Sequence, residues 1–330
     1  MTPVDPQFVP PPIGPVPAGI QRPLWSVMIP TYNCAQYLRQ TLESVLAQDP
    51  GPDQMQIEVV DDCSTADSPE AVVRAVAGDR VRFYRKEKNG GAIANFNTCI
   101  ERSHGHWVHI LHGDDWIAPG FYKKFTATAE AHPSLALLAC RSFFVDEAGI
   151  IAGVSERIMP LENGGTAATP FLYGTPIQTA SVVVRRSLYE REGGFLGSLL
   201  HTADCEMWCR ATVRGGGMVL PEVLSNYRVF SANDSSRLAR SAENLRDIER
   251  LNQLFASRHP EFDRLRAGMR TAEIAARQIE HFRTVGDADA LEANLAFWRM
   301  DLPFSIRFPH TLRHLARILF RAAIGRPRCT

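Results

Sequence analysis

From Trp25 onward the chain alternates short apolar runs with amphipathic stretches of helical period. The run "WSVMIP" predicts a strand, and "CAQYLRQTLESVLAQ" predicts a helix with Leu38, Leu42, Val45 and Leu46 on one face. "QIEVVDD" is a second strand, "SPEAVVRAVAG" a helix, "VRFYR" a third strand, "AIANFNTCIERS" a helix and "HWVHILH" a fourth strand. Strands that alternate with helices predict a parallel sheet covered on both faces, with right-handed crossovers. The order then changes. "GFYKKFTATAEAH" reads as a helix, "LALLACRSFFV" as a strand, "DEAG" as a turn, "IQTASVVV" as a strand and "TADCEMWCRATVRGG" as a short helix. Residues 151–177, with "GVSERIMPLENGGTAATP", have little periodicity and predict a long functional loop. From Ser241 the pattern is helical, with breaks near Pro260, Gly286 and Pro303.

The first 23 residues differ in character. "PQFVPPPIGPVPAG" is proline-rich and almost uncharged, which predicts a disordered or extended tail over residues 1–23. The expected organisation is therefore this tail, an α/β domain over residues 24–235 and a helical region over 236–330. A length of 330 residues suits a large domain with an appendage. Zero net charge argues against nucleic acid as a general partner. No apolar run approaches the ~20 residues that span a bilayer. The start lacks a basic stretch followed by an apolar core, so no signal peptide is expected. Seven irregularly spaced cysteines fit free thiols in a reducing cytoplasm.

In open parallel sheets, ligands gather at the carboxyl ends of the strands. Here those ends are polar. The first strand ends in Pro30, Thr31, Tyr32 and Asn33, and the second in Asp61 and Asp62. The third runs into "KEKNGG", and the fourth ends in His112, Gly113, Asp114 and Asp115. Carboxylates clustered without cations repel one another and resist ionisation, and a divalent cation relieves that cost. Oxygen ligands favour Mg²⁺ or Mn²⁺. Asp114, with Asp115, is thus a metal-ligand candidate, and Gly113 permits the turn. The plainer reading of an Asp pair after a strand is a turn with a helix cap.

Two other clusters are weighed the same way. His201, Cys205 and Cys209 follow one helix face, but a structural zinc wants four ligands, so buried free thiols are expected. His106 and His109 fall on opposite faces of a strand and do not share a metal. In the C-terminal stretch Leu312, Leu315, Ile318 and Leu319 form an apolar stripe beside Arg313, Arg317 and Arg321. Such a helix either lies on an anionic membrane or docks on its own domain.

The segments "VMIPTYNCAQYLRQTLESVLAQ", "IEVVDDCST", "NGGAIANFNTCIERSHGHWVHILHGDDWIAPG" and "TADCEMWCR" together resemble the family 2 glycosyltransferases. Their order and spacing agree across residues 25–230. The resemblance implies the GT-A fold, a Rossmann-like, mostly parallel sheet with helices on both faces, here followed by the helical region. It also implies a nucleotide-diphosphate sugar donor (a UDP-sugar foremost), a divalent cation and inversion at the anomeric carbon. Carried over, Pro30, Thr31, Tyr32 and Asn33 lie under the base and ribose, with Tyr32 as a stacking ring. Asp61 or Asp62 bonds the nucleoside. Asn89 and Gly91 present backbone N–H groups to ribose or phosphate. Asn97 matches an asparagine of the following helix. Asp114 is the central metal ligand for Mn²⁺ or Mg²⁺. The family's Asp-x-Asp begins here with His112, an imidazole able to ligate metal or bond a ribose hydroxyl. Asp204 matches the last acid of a Glu-Asp pair whose glutamate is Ala203 here. It implies a general base, against the plainer reading of a helix cap. Gln178 falls on the acceptor side. Arg228 falls where a basic pair meets the diphosphate, though the usual histidine is Phe230. The implied setting is polysaccharide biosynthesis, with a glycan or lipid-linked acceptor and peripheral contact of the basic C-terminal helix at the inner membrane face. Two rivals stand beside it. The missing acids at 112 and 203 keep a non-catalytic sugar-nucleotide or glycan-binding module. A nucleotidyltransferase is disfavoured, because no glycine- and basic-rich loop follows the first strand.

Overall fold

The computed structural model describes residues 5–157, 170–231, 233–303 and 306. The chain divides between Phe230 and Ser231 into two compact units. In the first, β1 (Trp25–Thr31) and β2 (Met55–Asp61) are buried at every residue. Full burial of parallel strands requires cover on both faces, and their buried polar members are paired, Ser26 with Gln56 and Glu58 with Arg102. Between them, α1 (Ala35–Leu46) buries Leu38, Leu42 and Val45 against Trp25, Val27 and Ile29. After β2 come α2 (Pro69–Ala77), β3 (Arg82–Arg85), α3 (Ala92–Arg102) and β4 (Trp107–Ile110). Ser68 caps α2, and Pro69 opens it with a preset φ. All four strands are parallel, and Thr31, Asp61 and Arg85 lie side by side in register. Their carboxyl ends therefore share one edge.

The second half of the sheet is mixed. It adds β5 (Trp116–Ile117), α4 (Phe121–Ala131), β6 (Leu137–Val145), β7 (Ile151–Val154), β8 (Val182–Arg185), α5 (Arg186–Glu192), α6 (Ala203–Gly215) and β9 (Gly217–Arg228). The strand order is β3-β2-β1-β4-β8-β6-β9-β5, with β7 paired to β6. β8 enters antiparallel between β4 and β6, so β6 and its parallel partner β9 run in the same direction as β4. Hence β9 ends, at Arg228, on the edge where β1, β2 and β4 end. β8 begins on that edge, just after Gln178 and a 3₁₀ turn at Thr179–Ser181. α6 reverses into β9 at Gly216 (φ 68°), beside the start of β6. Its amino end thus returns toward the same edge.

The sequence pattern contains no signal for β9. Pro221 interrupts it, and the β6–β9 ladder skips between Ala139 and Arg141, a bulge of the kind that admits a proline. The expected strand "IQTASVVV" begins only at Val182. Residues 158–169 of the expected loop lie outside the described residues.

The proline-rich start also departs from expectation. Residues 5–23 are not a disordered tail. They open with a 3₁₀ turn at Pro6–Phe8, and Phe8 and Ile13 are buried against the domain. Two apolar anchors suffice because a chain stiffened by prolines loses little entropy on docking.

The second unit holds α7 (Asp234–Arg240), α8 (Glu243–Arg258), α9 (Arg264–Val285) and α10 (Ala288–Ala296), and ends in a π turn at Phe297–Asp301. Leu245, Ala272, Ala275, Phe297 and Leu302 form its core. The basic stretch around Leu312–Arg321, and any membrane contact it makes, lies outside the described residues. Among the described residues no helix is long and apolar enough to cross a membrane.

One buried histidine ties the sheet to the 3₁₀ turn before β8. In β4, His109 lies 3.1 Å through Nε2 from Ala180 O and 3.0 Å through Nδ1 from the Tyr122 hydroxyl. A carbonyl only accepts, so Nε2 carries the proton and Nδ1 accepts. Burial lowers its pKa from 6.5 to about 4. The folded state holds the neutral ring. Its contribution is complete above pH 6.5 and is lost as pH falls toward 4, about 3 kcal/mol in all. Urea unfolding at pH 7 and pH 4 is expected to show that the wild type loses about this much more stability than His109→Gln, which does not titrate.

Candidate active site at the carboxyl edge of the sheet

The loop after β4 is held from three sides. Gly113 N–H donates to Pro30 O at 3.1 Å. A Cβ at Gly113 would lie 3.0 Å from Cys34 Sγ and 3.2 Å from Thr31 Oγ1, so the close approach to β1 leaves little room for a side chain. From α1, the Thr41 hydroxyl is shared between Asp115 O at 2.7 Å and Gly113 O at 3.0 Å. From β9, the Arg228 N–H donates to Asp115 Oδ1 at 2.8 Å and its Nε to Asp114 O at 3.0 Å. The result gathers His112, Asp114 and Asp115, whose ligand atoms lie within 4.8 Å of one another. Stacking on Phe96, with ring centroids 5.0 Å apart, orients the His112 ring.

This donor set fits a hard divalent cation. Asp115 Oδ2 is buried and accepts no hydrogen bond within the protein, with His112 Nδ1 3.6 Å away, which leaves it open to a bound cation or water. Burial, then the neighbouring Asp114 charge, pushes the Asp115 carboxyl well above the usual range. Burial also raises Asp114, against the opposing pull of His112 and Arg228. Two acids whose charged forms are disfavoured, plus an imidazole, are the groups that a Mn²⁺- or Mg²⁺-sized ion would relieve.

The Arg228 side chain is buried and turned into the protein. Besides Asp114 O, its guanidinium donates to Glu147 O at 2.6 Å and Gln40 Oε1 at 2.7 Å, and it packs on Tyr37 and Trp116. Its donors are used by the protein, so it is a positioning residue for the two acids. Its acceptors, Gln40 Oε1 and the backbone oxygens of Asp114 and Glu147, are ordinary groups far apart in sequence.

On the other side of Pro30, which is buried in β1, Tyr32 is 47% exposed and presents a free ring face. Thr31 is buried, with Oγ1 2.8 Å from Cys34 Sγ. Asn33 adopts φ 49°, and its side-chain oxygen accepts from Thr65 and Ala66 N–H. Asp61 accepts from Ser64 and from Arg85 at 2.9 Å. Asp62 accepts from Lys86 Nζ at 2.5 Å, Gly90 N–H at 3.0 Å and Gly91 N–H at 2.8 Å. Asn89 Oδ1 also accepts from Gly91 N–H. The glycine-turn amides are thus directed at Asp62, and both Asp61 and Asp62 are held by protein donors. Both acids are buried, and a buried carboxylate takes the nearest donors, here the turn amides. Asn97 is also turned inward. It donates to Phe195 O at 3.0 Å and accepts from Phe195 N–H at 2.8 Å.

Toward the expected acceptor side, Gln178 Oε1 is buried without a partner. Asp204 is half-buried, with Oδ1 2.7 Å from Cys205 N. The N-cap position belongs to Thr202, so Asp204 sits inside the first turn, where the helix dipole favours its charged form. Glu206 pairs with Arg210 at 2.8 Å, and Trp208 packs edge-on against Phe195. The Cys205 thiol donates to Phe171 O at 3.3 Å. Among the described residues His201, Cys205 and Cys209 form no metal cluster.

Comparison with known proteins bears on this arrangement. The family model "Glycosyl transferase family 2" matches residues 26–191, half the chain. An uncharacterized protein of Mycobacterium tuberculosis is 27% identical over 242 residues, covering 70% of this chain and 75% of that one. The poly(ribitol-phosphate) beta-N-acetylglucosaminyltransferase TarS of Staphylococcus aureus is 30% identical over 115 residues, 34% of this chain and 20% of TarS. The structure of TarS residues 1–349 superposes with a TM-score of 0.52 at 19% identity, over 85% of this chain and 92% of that one. That protein has also been solved with UDP-GlcNAc. The mannosyltransferase PcManGT of Pyrobaculum calidifontis, in complex with GDP-Man and Mn²⁺, gives 0.56 at 19% identity over 93% and 88% of the two chains. These likenesses show the GT-A fold implied by the sequence.

The Asn97 clamp separates a wall residue from a ligand contact. Asn97→Ala leaves two backbone groups of fully buried Phe195 without partners, a loss of about 1–3 kcal/mol each at most. Urea unfolding is expected to show a clear loss of stability, while nucleotide affinity of the folded fraction, read by calorimetry, stays at the wild-type value.

Proposed function

The chain belongs to glycosyl transferase family 2, and from that premise we propose that it transfers a sugar with inversion from a nucleoside-diphosphate donor to an acceptor hydroxyl, in the assembly of a polysaccharide or wall glycan. The observation that carries this reading is the His112–Asp114–Asp115 cluster, with its buried and unpartnered Asp115 oxygen. The relatives support the donor class: TarS is solved with UDP-GlcNAc, and PcManGT with GDP-Man and Mn²⁺. A UDP-sugar is the donor proposed here, and a glycan or lipid-linked hydroxyl the acceptor.

His112, Asp114 and Asp115 would hold Mn²⁺ or Mg²⁺. When bound, the ion neutralises charge that develops on the leaving diphosphate. The protein does the rest. Tyr32 offers its exposed ring to the base. The self-satisfied turn of Asp62, Gly90 and Gly91 forms a rigid wall behind it. Arg228 and Thr41 keep the acids in place without moving during the reaction. Direct displacement needs a base on the face opposite the diphosphate. Asp204, ionised at the amino end of α6, takes the acceptor proton in this scheme, and Gln178 orients the acceptor through its unpartnered oxygen.

A thermal-shift panel tests the metal and donor. UDP with Mn²⁺ is expected to raise Tm, and the Mn²⁺-dependent part is expected to vanish in Asp115→Asn. A shift that persists in this variant would remove Asp115 from the site. For the base, Asp204→Asn should bind UDP like the wild type yet transfer sugar about 10²-fold more slowly or worse. Wild-type transfer by Asp204→Asn would end that assignment.

A further inference from the structure

The amino-terminal segment meets the rest of the fold at one place that matters for the acceptor side. Phe8 and Ile13 are 6% and 4% exposed. Pro11 O accepts from Gly194 N–H at 2.8 Å, and Gln7 O from the Ser198 hydroxyl at 2.6 Å. Gly14 O accepts from both terminal nitrogens of Arg186 at 3.2 Å. Arg186 is itself buried and paired with Glu190. The fit is steric as well as polar. Gly193 has φ 81°, and a Cβ there would lie 2.7 Å from both Pro10 Cβ and Pro11 O. A Cβ at Gly194 would lie 3.3 Å from Ile13 Cδ1.

The same two glycines are held from behind by α6. Arg210 donates to Gly193 O at 3.1 Å and Gly194 O at 2.8 Å, and its partner Glu206 lies on the helix turn that carries Asp204. Phe195, next in line, is the residue clamped by Asn97. Ser198 precedes Asp204 by less than two helical turns of chain. The segment between α5 and α6 is thus gripped between the proline-rich segment on one side and α6 with α3 on the other. A peptide that only filled a surface groove would have no reason to bond this one connection at both the Gly194 N–H and the Ser198 hydroxyl.

We propose that residues 5–14 form a built-in strap that positions the 193–202 connection, and through it the amino end of α6, for sugar transfer. The strap acts on the α5–α6 side of the fold: its bonds to Gly194, Ser198 and Arg186 lie on α5 and the connection after it, not on the strand ends at Thr31, Asp61 or His112. Prolines suit the task because their fixed φ keeps the strap extended at small entropic cost. The inference rests on the assignment of Asp204 to the transfer step.

The test uses the full chain with Phe8→Asp and Ile13→Asp together. Amide hydrogen exchange by mass spectrometry is expected to speed up about tenfold or more across residues 195–202, with residues 107–111 unchanged. Affinity for UDP with Mn²⁺ should stay within about twofold, while kcat for transfer falls about tenfold or more. Unchanged exchange at 195–202, or faster exchange with wild-type kcat, would overturn the proposal. Ser198→Ala, which removes only the bond to Gln7 O, serves if the double variant does not fold. It should lower kcat about threefold at unchanged UDP affinity, and wild-type kcat would again overturn the strap. Exchange reads positioning without any turnover. A protein that transfers no sugar but shows the exchange change would thus lose the proposed reaction and keep the strap.

Discussion

A buried guanidinium sits behind the two acids at the sheet edge. Arg228 is 3% exposed, and a charge so placed is tolerable only if every donor finds an acceptor. Its acceptors come from α1, from the turn after β6 and from the loop after β4, and its plane is sandwiched by Tyr37 and Trp116. The fork geometry of arginine, with five donors in a plane, is what lets one residue join these segments. Because its own backbone N–H also holds Asp115, the acids cannot shift without breaking this junction. The same junction closes the turn after β6: the Tyr37 hydroxyl donates to Glu147 at 2.9 Å, and burial followed by that bond pushes its pKa up to about 12.

The edge thereby has two kinds of surface. One is saturated. Asp61 is satisfied by Ser64 and Arg85, Asn33 by Thr65 and Ala66, and Asp62 by the glycine turn, so this part forms a preorganised wall. The other keeps unmet capacity at Asp115 Oδ2 and Gln178 Oε1. Stability is concentrated in the first and chemistry in the second. This division explains how a cluster of carboxylates can persist at the end of three buried strands.

Much of this was legible in the sequence, and the failures are instructive. β1, β2 and β4 announce themselves because both faces are buried, which leaves a mostly apolar run and a polar stop. The gathering of His112, Asp114 and Asp115 follows from that stop. Sequence gives residue types, however, and not the direction in which a side chain points. Asp62 and Asn97 are polar residues in suggestive places, yet both turn inward to backbone amides. Arg228 was read as a phosphate contact because its real acceptors are distant in the chain and ordinary in kind. β9 was hidden by Pro221, and the docking of residues 5–23 by a composition rule that counts prolines and overlooks two anchors, Phe8 and Ile13.

The position of β8 has a consequence for how the chain comes to be folded. It lies between β4 and β6, although both are made before it. While the ribosome is still producing the segment that joins β6 to β8, the nascent first half carries an open seam along β4, with Trp107 and Val108 already in place and nothing beside them. Translation runs at about 5–20 residues per second, so that seam stays unpaired for seconds, a long interval for an apolar strand edge. Closing the sheet thus requires β8 to enter late between two strands that precede it in the chain.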